Sequence, residues 1–355
     1  MKLLAYTDAS AIGGAETVLG HLLAGLDSGI EATVLGVHPE VVEAIAGRRR
    51  DCRRAVTRAV RHKGDLGAIA AHARIVRRLD PDVIHVNLQS PWAGQYGILA
   101  GILGRYPVVA VEHSVFPSTS SLQRVLRRGL ERRLAAHVGV AERSARSFER
   151  VAGLRPGSLE VIYNGVPDVP AMPVDRPVPG PIVGTAGRFV PEKSLDTLIA
   201  ALAMLPAEVS CVLVGDGPER RRLEALAAAS GAGDRIVFTG WVPHARDYLA
   251  IMDVVAIPSR FEGFPLAMVE AMLAERPIVA SAVGSIPEAI EDGVTGRLIP
   301  VGDAGALASA IGDLLTDPAT AARLGAEARR RAVARFTVER MVDAYEQLYE
   351  RVARR

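Results

Sequence analysis

Aromatic residues make up only 5% of this 355-residue chain. None of them interleaves its arginine clusters, which argues against nucleic acid as a partner. There are two cysteines, Cys52 and Cys211, with no metal-ligand spacing around either. They need not pair, and reduced thiols are the expectation. No apolar run reaches the roughly 18–20 residues that a membrane span requires. The opening MKLLAYTDAS carries one lysine and an early Asp8, which predicts a first strand and not a signal peptide. Together these absences point to a cytoplasmic protein. Also missing are a G-x-x-x-x-G-K-[ST] run and a G-x-G-x-x-G after a strand. The first absence speaks against P-loop ATP hydrolysis, the second against a nicotinamide-dependent dehydrogenase.

What is present is a globular composition, 49% hydrophobic and 23% charged, with length enough for two domains that each bury a core. Charge is unevenly spread: about +6 over residues 1–180 and about −4 over 181–355, making the net +2. The excess lies in Arg48 to Lys63 and in Gln123 to Arg133. Around the second, Leu122, Val125, Leu126 and Leu130 form an apolar stripe, predicting a basic amphipathic helix over 121–135. Such a helix can lie on an anionic membrane surface, or simply form an arginine-rich face of a globular domain.

Strand and helix patterns alternate along the chain. Strands are predicted at 3–6, 32–37, 83–86, 108–111, 137–140 and 159–162, with helices such as 66–79 and 93–103 between them. From Val166 to Pro181 prolines recur at Pro167, Pro170, Pro173, Pro177, Pro179 and Pro181, the composition of a linker. A second βα series follows, with strands at 182–185, 210–214, 236–238 and 254–257 and helices at 195–205, 220–229 and 246–252. Repeated βα units specify a parallel sheet with helices on both faces. The expected organisation is therefore α/β, with two doubly wound domains at 1–165 and 181–335, a linker at 166–180 and a terminal amphipathic helix within 336–355. In such sheets ligands bind beyond the carboxyl ends of the strands, and two facing sheets would hold theirs in the cleft between them.

The chemistry concentrates at strand ends. Gly13-Gly14 sits in a strand-to-helix turn that can bring backbone amides against an anion or a sugar. His113 follows a buried strand in Glu112-His113-Ser114. Gly187-Arg188, with Lys193 five residues on, places two cations at the end of the second domain's first strand, where charge-assisted bonds to a diphosphate are worth about 1.5–3 kcal/mol each. The stretch SRFEGFPLAMVEAMLAERPIVA (259–280) puts Glu262 on a loop at a helix N-terminus and Glu270 about two turns inside that helix, with Pro277 ending it. A helix start with free N–H groups flanked by carboxylates suits a ligand bearing phosphates and sugar hydroxyls. The same two glutamates also fit an ordinary helix-start residue and a solvated helix residue.

GRFVPEKSLDTLIAA (187–201), VGDGPER (214–220), VFTGWVP (237–243), SRFEGFPLAMVEAM (259–272), Asn164-Gly165-Val166 and the GGAE of 13–16 resemble the retaining family-4 glycosyltransferases. The resemblance spans nearly the whole chain and is densest in its second half. It implies the GT-B fold, two Rossmann-like domains with a C-terminal helix crossing back to the first, and transfer from a nucleotide-diphosphate sugar with no metal. By the resemblance, Arg188 and Lys193 hold the diphosphate and Glu262 contacts the transferred sugar. The backbone of Gly187, Gly263, Phe264, Pro265 and Leu266 binds sugar and phosphate. Glu270 takes the ribose, Val242 edges the base, and Gly14 lies near the phosphates. His113 matches a histidine near the anomeric carbon. Gly13, Asn87 and Glu142 fall on the acceptor side, Asn87 standing where relatives often carry a second histidine.

With no carboxylate pair evident across the bond, retention implies same-face attack by an acceptor hydroxyl through an oxocarbenium-like ion pair. The acceptor would be a sugar or a lipid-linked sugar in bacterial glycan assembly, at the inner face of the membrane. UDP is the first choice of nucleotide and GDP the second. Two other readings stay open: a nucleotide-sugar 2-epimerase of the same fold, and a non-catalytic nucleotide- or sugar-binding protein.

Overall fold

The computed structural model describes residues 1–62, 64–89, 93–113 and 129–354. Lys63, Ser114 and residues 121–128 of the expected basic helix therefore lie outside the described residues.

The chain divides into two compact units, residues 1–167 with 338–355, and residues 168–337. The first is built on a seven-stranded parallel sheet in the order β3-β2-β1-β4-β5-β6-β7. Its strands are β1 (Lys2–Thr7), β2 (Glu31–Gly36), β3 (Arg53–Val56), β4 (Val83–Leu88), β5 (Val108–Glu112), β6 (Ala136–Gly139) and β7 (Glu160–Val161). The helices are α1 (Gly14–Gly25), α2 (Pro39–Ala46), α3 (Leu66–Leu79), α4 (Gln95–Gly104) and α5 (Glu142–Ala152). β4 is buried at every position, as a central parallel strand covered on both faces must be.

The second unit has a six-stranded parallel sheet in the order β10-β9-β8-β11-β12-β13. These strands are β8 (Ile182–Ala186), β9 (Ser210–Val214), β10 (Ile236–Gly240), β11 (Val254–Ile257), β12 (Ile278–Ser281) and β13 (Arg297–Ile299). Around them run α6 (Leu195–Met204), α7 (Arg220–Ala229), α8 (Ala245–Leu249), α9 (Leu266–Leu273), α10 (Ile286–Ala289), α11 (Ala304–Thr316) and α12 (Pro318–Arg335). The last helix, α13 (Val338–Ala353), belongs to the first unit. Its Met341, Val342, Tyr345, Leu348 and Tyr349, the apolar face expected from spacing, are all buried. A side chain at Gly25 would meet Val342, so α1 and α13 approach closely.

In both sheets the order reverses once, between β1 and β4 in the first unit and between β8 and β11 in the second. A crevice opens at such a switch point because the two flanking βα loops leave in opposite directions. Arg188, Lys193 and Glu262 fall beside the second of these crevices, and Gly13, Gly14, Asn87 and His113 beside the first.

Two local expectations are corrected. α9 starts at Leu266 because Pro265 is its extended N-cap, so Glu270 is one turn inside the helix and not two. Nor does Pro277 end it. Glu275 adopts a left-handed conformation (φ 57°), and the Arg276 N–H reaches back to Ala271 O at 3.0 Å. That is a Schellman closure, complete before the proline.

The proline-rich stretch beginning at Asp168 lies in the second unit and is tied to it by Arg176, which donates to Ile251 O and pairs with Asp253. In the basic stretch 48–63, Arg49 is buried and not part of a charged surface. Its guanidinium donates to the carbonyls of Leu23, Leu26, Asp27 and Ile30, satisfying the C-terminal end of α1. Cys52 and Cys211 are buried free thiols. Among the described residues, no helix is long and apolar enough to cross a membrane.

Candidate active site

In the second unit, the ends of β8 and β11 flank a pocket lined by Gly187, Arg188, Lys193, Ser259, Pro265 and Ala267. Lys193 Nζ lies 2.7 Å from Glu262 Oε1, and the same oxygen accepts from Ser259 Oγ at 2.6 Å. Glu262 is only 9% exposed, so its carboxylate is held by a cation and a hydroxyl instead of by bulk water. Arg188 is exposed and makes no ion pair among the described residues. One cation is thus paired inside the site while the other faces solvent.

The loops that carry these groups touch backbone to backbone. Phe189 N donates to Asp216 O, Glu219 N to Phe189 O, and Arg260 N to Glu192 O. Gly284 (φ 50°) lets its loop approach Glu262 so closely that an added Cβ would sit 2.0 Å from Glu262 O. At Gly215 (φ 130°) the same atom would sit 2.0 Å from Gly187 O. No other residue fits either position without moving the loop that bears Glu262 or Arg188.

The α9 N-terminus adjoins this pocket through Pro265 and Ala267. Of the run Gly263 to Leu266, Pro265 has no N–H, so donation to an anion falls to the other residues of that turn. Glu270, further along α9, is half-buried. Burial pushes its carboxyl above the usual range, and the Arg246 charge works against that. Val242 is half-buried in the loop after β10, beside an exposed Trp241.

In the first unit, Gly13 and Gly14 open α1, and the buried Glu16 accepts from Gly13 N at 3.0 Å and from Gln89. An added Cβ at Gly14 would meet nothing within 4 Å. Asn87, near the end of β4, donates to Ala15 O at 3.1 Å. Its Oδ1 lies 3.2 Å from His113 Nε2 and 3.1 Å from His85 Nε2, and His85 Nδ1 lies 2.7 Å from the Tyr349 hydroxyl. Gly13–Glu16, Asn87 and His113 are thus brought together at this switch point. Glu142 is not: it is exposed at the start of α5 and pairs with Arg146.

Sequence reasoning missed Ser259, Gly284, Gln89, His85 and Tyr349. Ser259 had a signal, lying three residues before Glu262. Tyr349 lies 264 residues from its partner His85, and no local pattern could join them.

A pair of doubly wound parallel units, each with its candidate residues at the switch point of its sheet, defines an α/β class of two Rossmann-like domains. The chain matches the profile described as Glycosyltransferase Family 4 over residues 12–168 and that of Glycosyl transferases group 1 over 174–331. It belongs to the family-4 glycosyltransferases.

It is 31% identical to the 2-deoxystreptamine N-acetyl-D-glucosaminyltransferase of Streptomyces fradiae over 314 residues, 78% of this chain and 73% of that one. It is 35% identical to the lipopolysaccharide core biosynthesis glycosyltransferase LpsE of Rhizobium meliloti over 175 residues. That alignment spans 49% of this chain and about half (51%) of LpsE. The Anabaena protein HepE, solved in complex with UDP-glucose, has the same fold, with a TM-score of 0.85 over all of both chains and 24% identity.

Proposed function

We propose that this glycosyltransferase takes a sugar from a UDP-sugar and passes it, with retention at the anomeric carbon and without a metal, to an acceptor hydroxyl. The observation that carries the reading is the second unit's switch point. There Arg188, Lys193 and the α9 N-terminus supply positive charge for a departing diphosphate, beside Glu262 and Glu270 for hydroxyl groups. Two cations and a helix start offer the electrostatic stabilisation that a metal would otherwise give. Lys193 leaves Glu262 for the phosphate when donor binds, and Glu262 turns to the sugar. Glu270 takes the ribose and Val242 borders the base.

UDP is favoured over GDP because HepE was solved with UDP-glucose and the Streptomyces relative is named for a sugar of the N-acetylglucosamine type. In the first unit, His113 and Gly14 serve the transferred sugar and its phosphate. Gly13 and Asn87 serve the acceptor, a sugar or lipid-linked sugar of bacterial polysaccharide, lipopolysaccharide or glycoconjugate assembly. Glu142, outside that cluster at the exposed start of α5, meets only a part of the acceptor that extends beyond them. The surplus positive charge of residues 1–180 fits work at the cytoplasmic, anionic face of a membrane.

Thermal unfolding with UDP, GDP and ADP, each with and without EDTA, tests the reading. A ligand at 100 times its Kd adds about 2.7 kcal/mol, a visible rise in Tm. A UDP-selective shift that survives EDTA is expected. No shift with any nucleotide would sink the proposal.

A further inference from the structure

One backbone carbonyl orients a buried chain of hydrogen bonds. Asn87 Nδ2 lies 3.1 Å from Ala15 O, and a carbonyl can only accept. That contact fixes the amide's orientation, with Oδ1 on the side of the two imidazoles. Oδ1 is within 3.1 Å of His85 Nε2 and 3.2 Å of His113 Nε2, and it too can only accept. Both Nε2 atoms therefore carry protons. Burial keeps each ring neutral, pushing His85 down to about 4 and His113, with His85 beside it, down to about 3. A neutral imidazole has a single N–H, so Nδ1 is bare on both rings. On His85 the bare Nδ1 meets the Tyr349 hydroxyl at 2.7 Å, which donates to it. Every hydrogen bond in the chain now has one direction, set at one end by Tyr349 and at the other by the Ala15 carbonyl.

We propose that Tyr349, His85 and Asn87 are positioning residues that hold His113 in its Nε2–H tautomer, leaving the His113 Nδ1 lone pair to accept a hydrogen bond from a sugar hydroxyl. The second half rests on the assignment of His113 to the transferred sugar; the first half does not. A bare ring nitrogen accepts from a hydroxyl and repels a phosphate oxygen, so His113 selects the sugar end of a donor over its diphosphate. Orientation comes with the tautomer, because the ring is gripped through Nε2. The hydroxyl that starts the chain is on α13, so the last helix of the sequence sets the proton pattern at the end of β5.

The test is long-range ¹H–¹⁵N NMR of the full chain labelled at histidine, with His85 and His113 assigned by substitution. Both rings should show pyrrole-like Nε2 and pyridine-like Nδ1. Tyr349→Phe keeps the ring packed against His85 and Tyr345 but removes the donor. His85 can then place its proton on Nδ1, and its bare Nε2 facing Oδ1 drives Asn87 to turn its amide at the cost of the Ala15 contact, so the His113 shifts should move toward a tautomer mixture. In the same variant kcat should fall about tenfold, the worth of one net hydrogen bond, with the donor KM little changed.

A packing role alone would lower Tm and leave the nitrogen shifts in place. An Nδ1–H tautomer at His113 in the natural protein, or unchanged ring shifts in Tyr349→Phe, would overturn the chain. If the tautomers stood but His113→Ala kept full nucleotide-sugar turnover, the hydroxyl-acceptor half would be overturned and the tautomer half upheld.

Discussion

Lys193 and Glu262 hold each other in the resting protein, Nζ against Oε1 at 2.7 Å, although the proposed reaction sends them to different parts of the donor. Donor binding is then an exchange of partners: the ammonium gives up a carboxylate for a phosphate, and the carboxylate gives up an ammonium for a hydroxyl. Ser259, at 2.6 Å from the same oxygen, keeps Glu262 from being stranded during the exchange.

Lys193→Met should therefore affect both halves of the donor. With the cation gone, kcat/KM is expected to fall about 100-fold or more, the usual scale for losing one preorganised electrostatic group. Steady-state kinetics check this. Glu262→Gln, which can still interact with Ser259, should lower kcat while the fold, followed by circular dichroism, is unchanged.

Arg188→Ala separates catalysis from stability. The side chain is exposed and unpaired among the described residues, so unfolding free energy should stay within about 0.5 kcal/mol of the natural value. UDP-induced stabilisation should shrink, and the Arg188→Ala/Lys193→Ala double variant should lose turnover. Full turnover in the double variant would remove the leaving-group role.

Two glycines should behave in opposite ways when changed to alanine. At Gly284, a left-handed φ and a 2.0 Å approach to Glu262 O predict a loss of at least about 2 kcal/mol together with loss of UDP binding. At Gly14 a methyl meets nothing within 4 Å and sits at the first residue of α1. There stability should hold or rise by about 0.5–1 kcal/mol while donor affinity falls. Urea unfolding and UDP titration of both variants decide it.

Stability should peak near neutral pH and fall on both sides. Burial opposes a charge on His137, but Glu112 and Glu131, at 3.5 and 2.6 Å from its two ring nitrogens, hold its pKa up to about 9. That contribution, on the order of 3 kcal/mol, is complete below about pH 6.5 and is lost as pH rises through 9. His85 and His113 work the other way. They are buried neutral with pKa values of about 4 and 3, so they draw stability away as pH falls below about 6.5. Glu16 and Glu270, whose carboxyls burial pushes up, soften that acid limb. Urea unfolding across this range should show the two limbs, and His137→Gln should flatten only the alkaline one.

Much of this architecture was legible in the sequence where periodicity and punctuation agree. Helix Leu66–Leu79 and strand Ser210–Val214 begin and end on the predicted residues, because an N-cap Asp65 with Asp80-Pro81 marks one and a bounded apolar run the other. The short strand Arg297–Ile299 and helix Ile286–Ala289 left no such mark. Their lengths are below any reliable period, and the strand is placed only by its pairing with β12 at the sheet edge. In the site, Arg188, Lys193 and Glu262 were readable as a motif, yet the pairing of Lys193 with Glu262 was not, since it depends on how two loops 69 residues apart meet. Arg49 read as one arginine of a surface cluster. Only the fold shows that it satisfies four carbonyls.

The return of α13 to the first unit gives synthesis an order. Residues 168–337 are inserted between Val166 and Val338, whose backbones hydrogen-bond to each other at 3.0 Å. Six buried side chains of the first unit's core, from Met341 to Val352, leave the ribosome only after the entire second unit. The second unit can fold while the chain is still growing, whereas the first must wait with α1 and β4 uncovered until residues 338–353 have emerged.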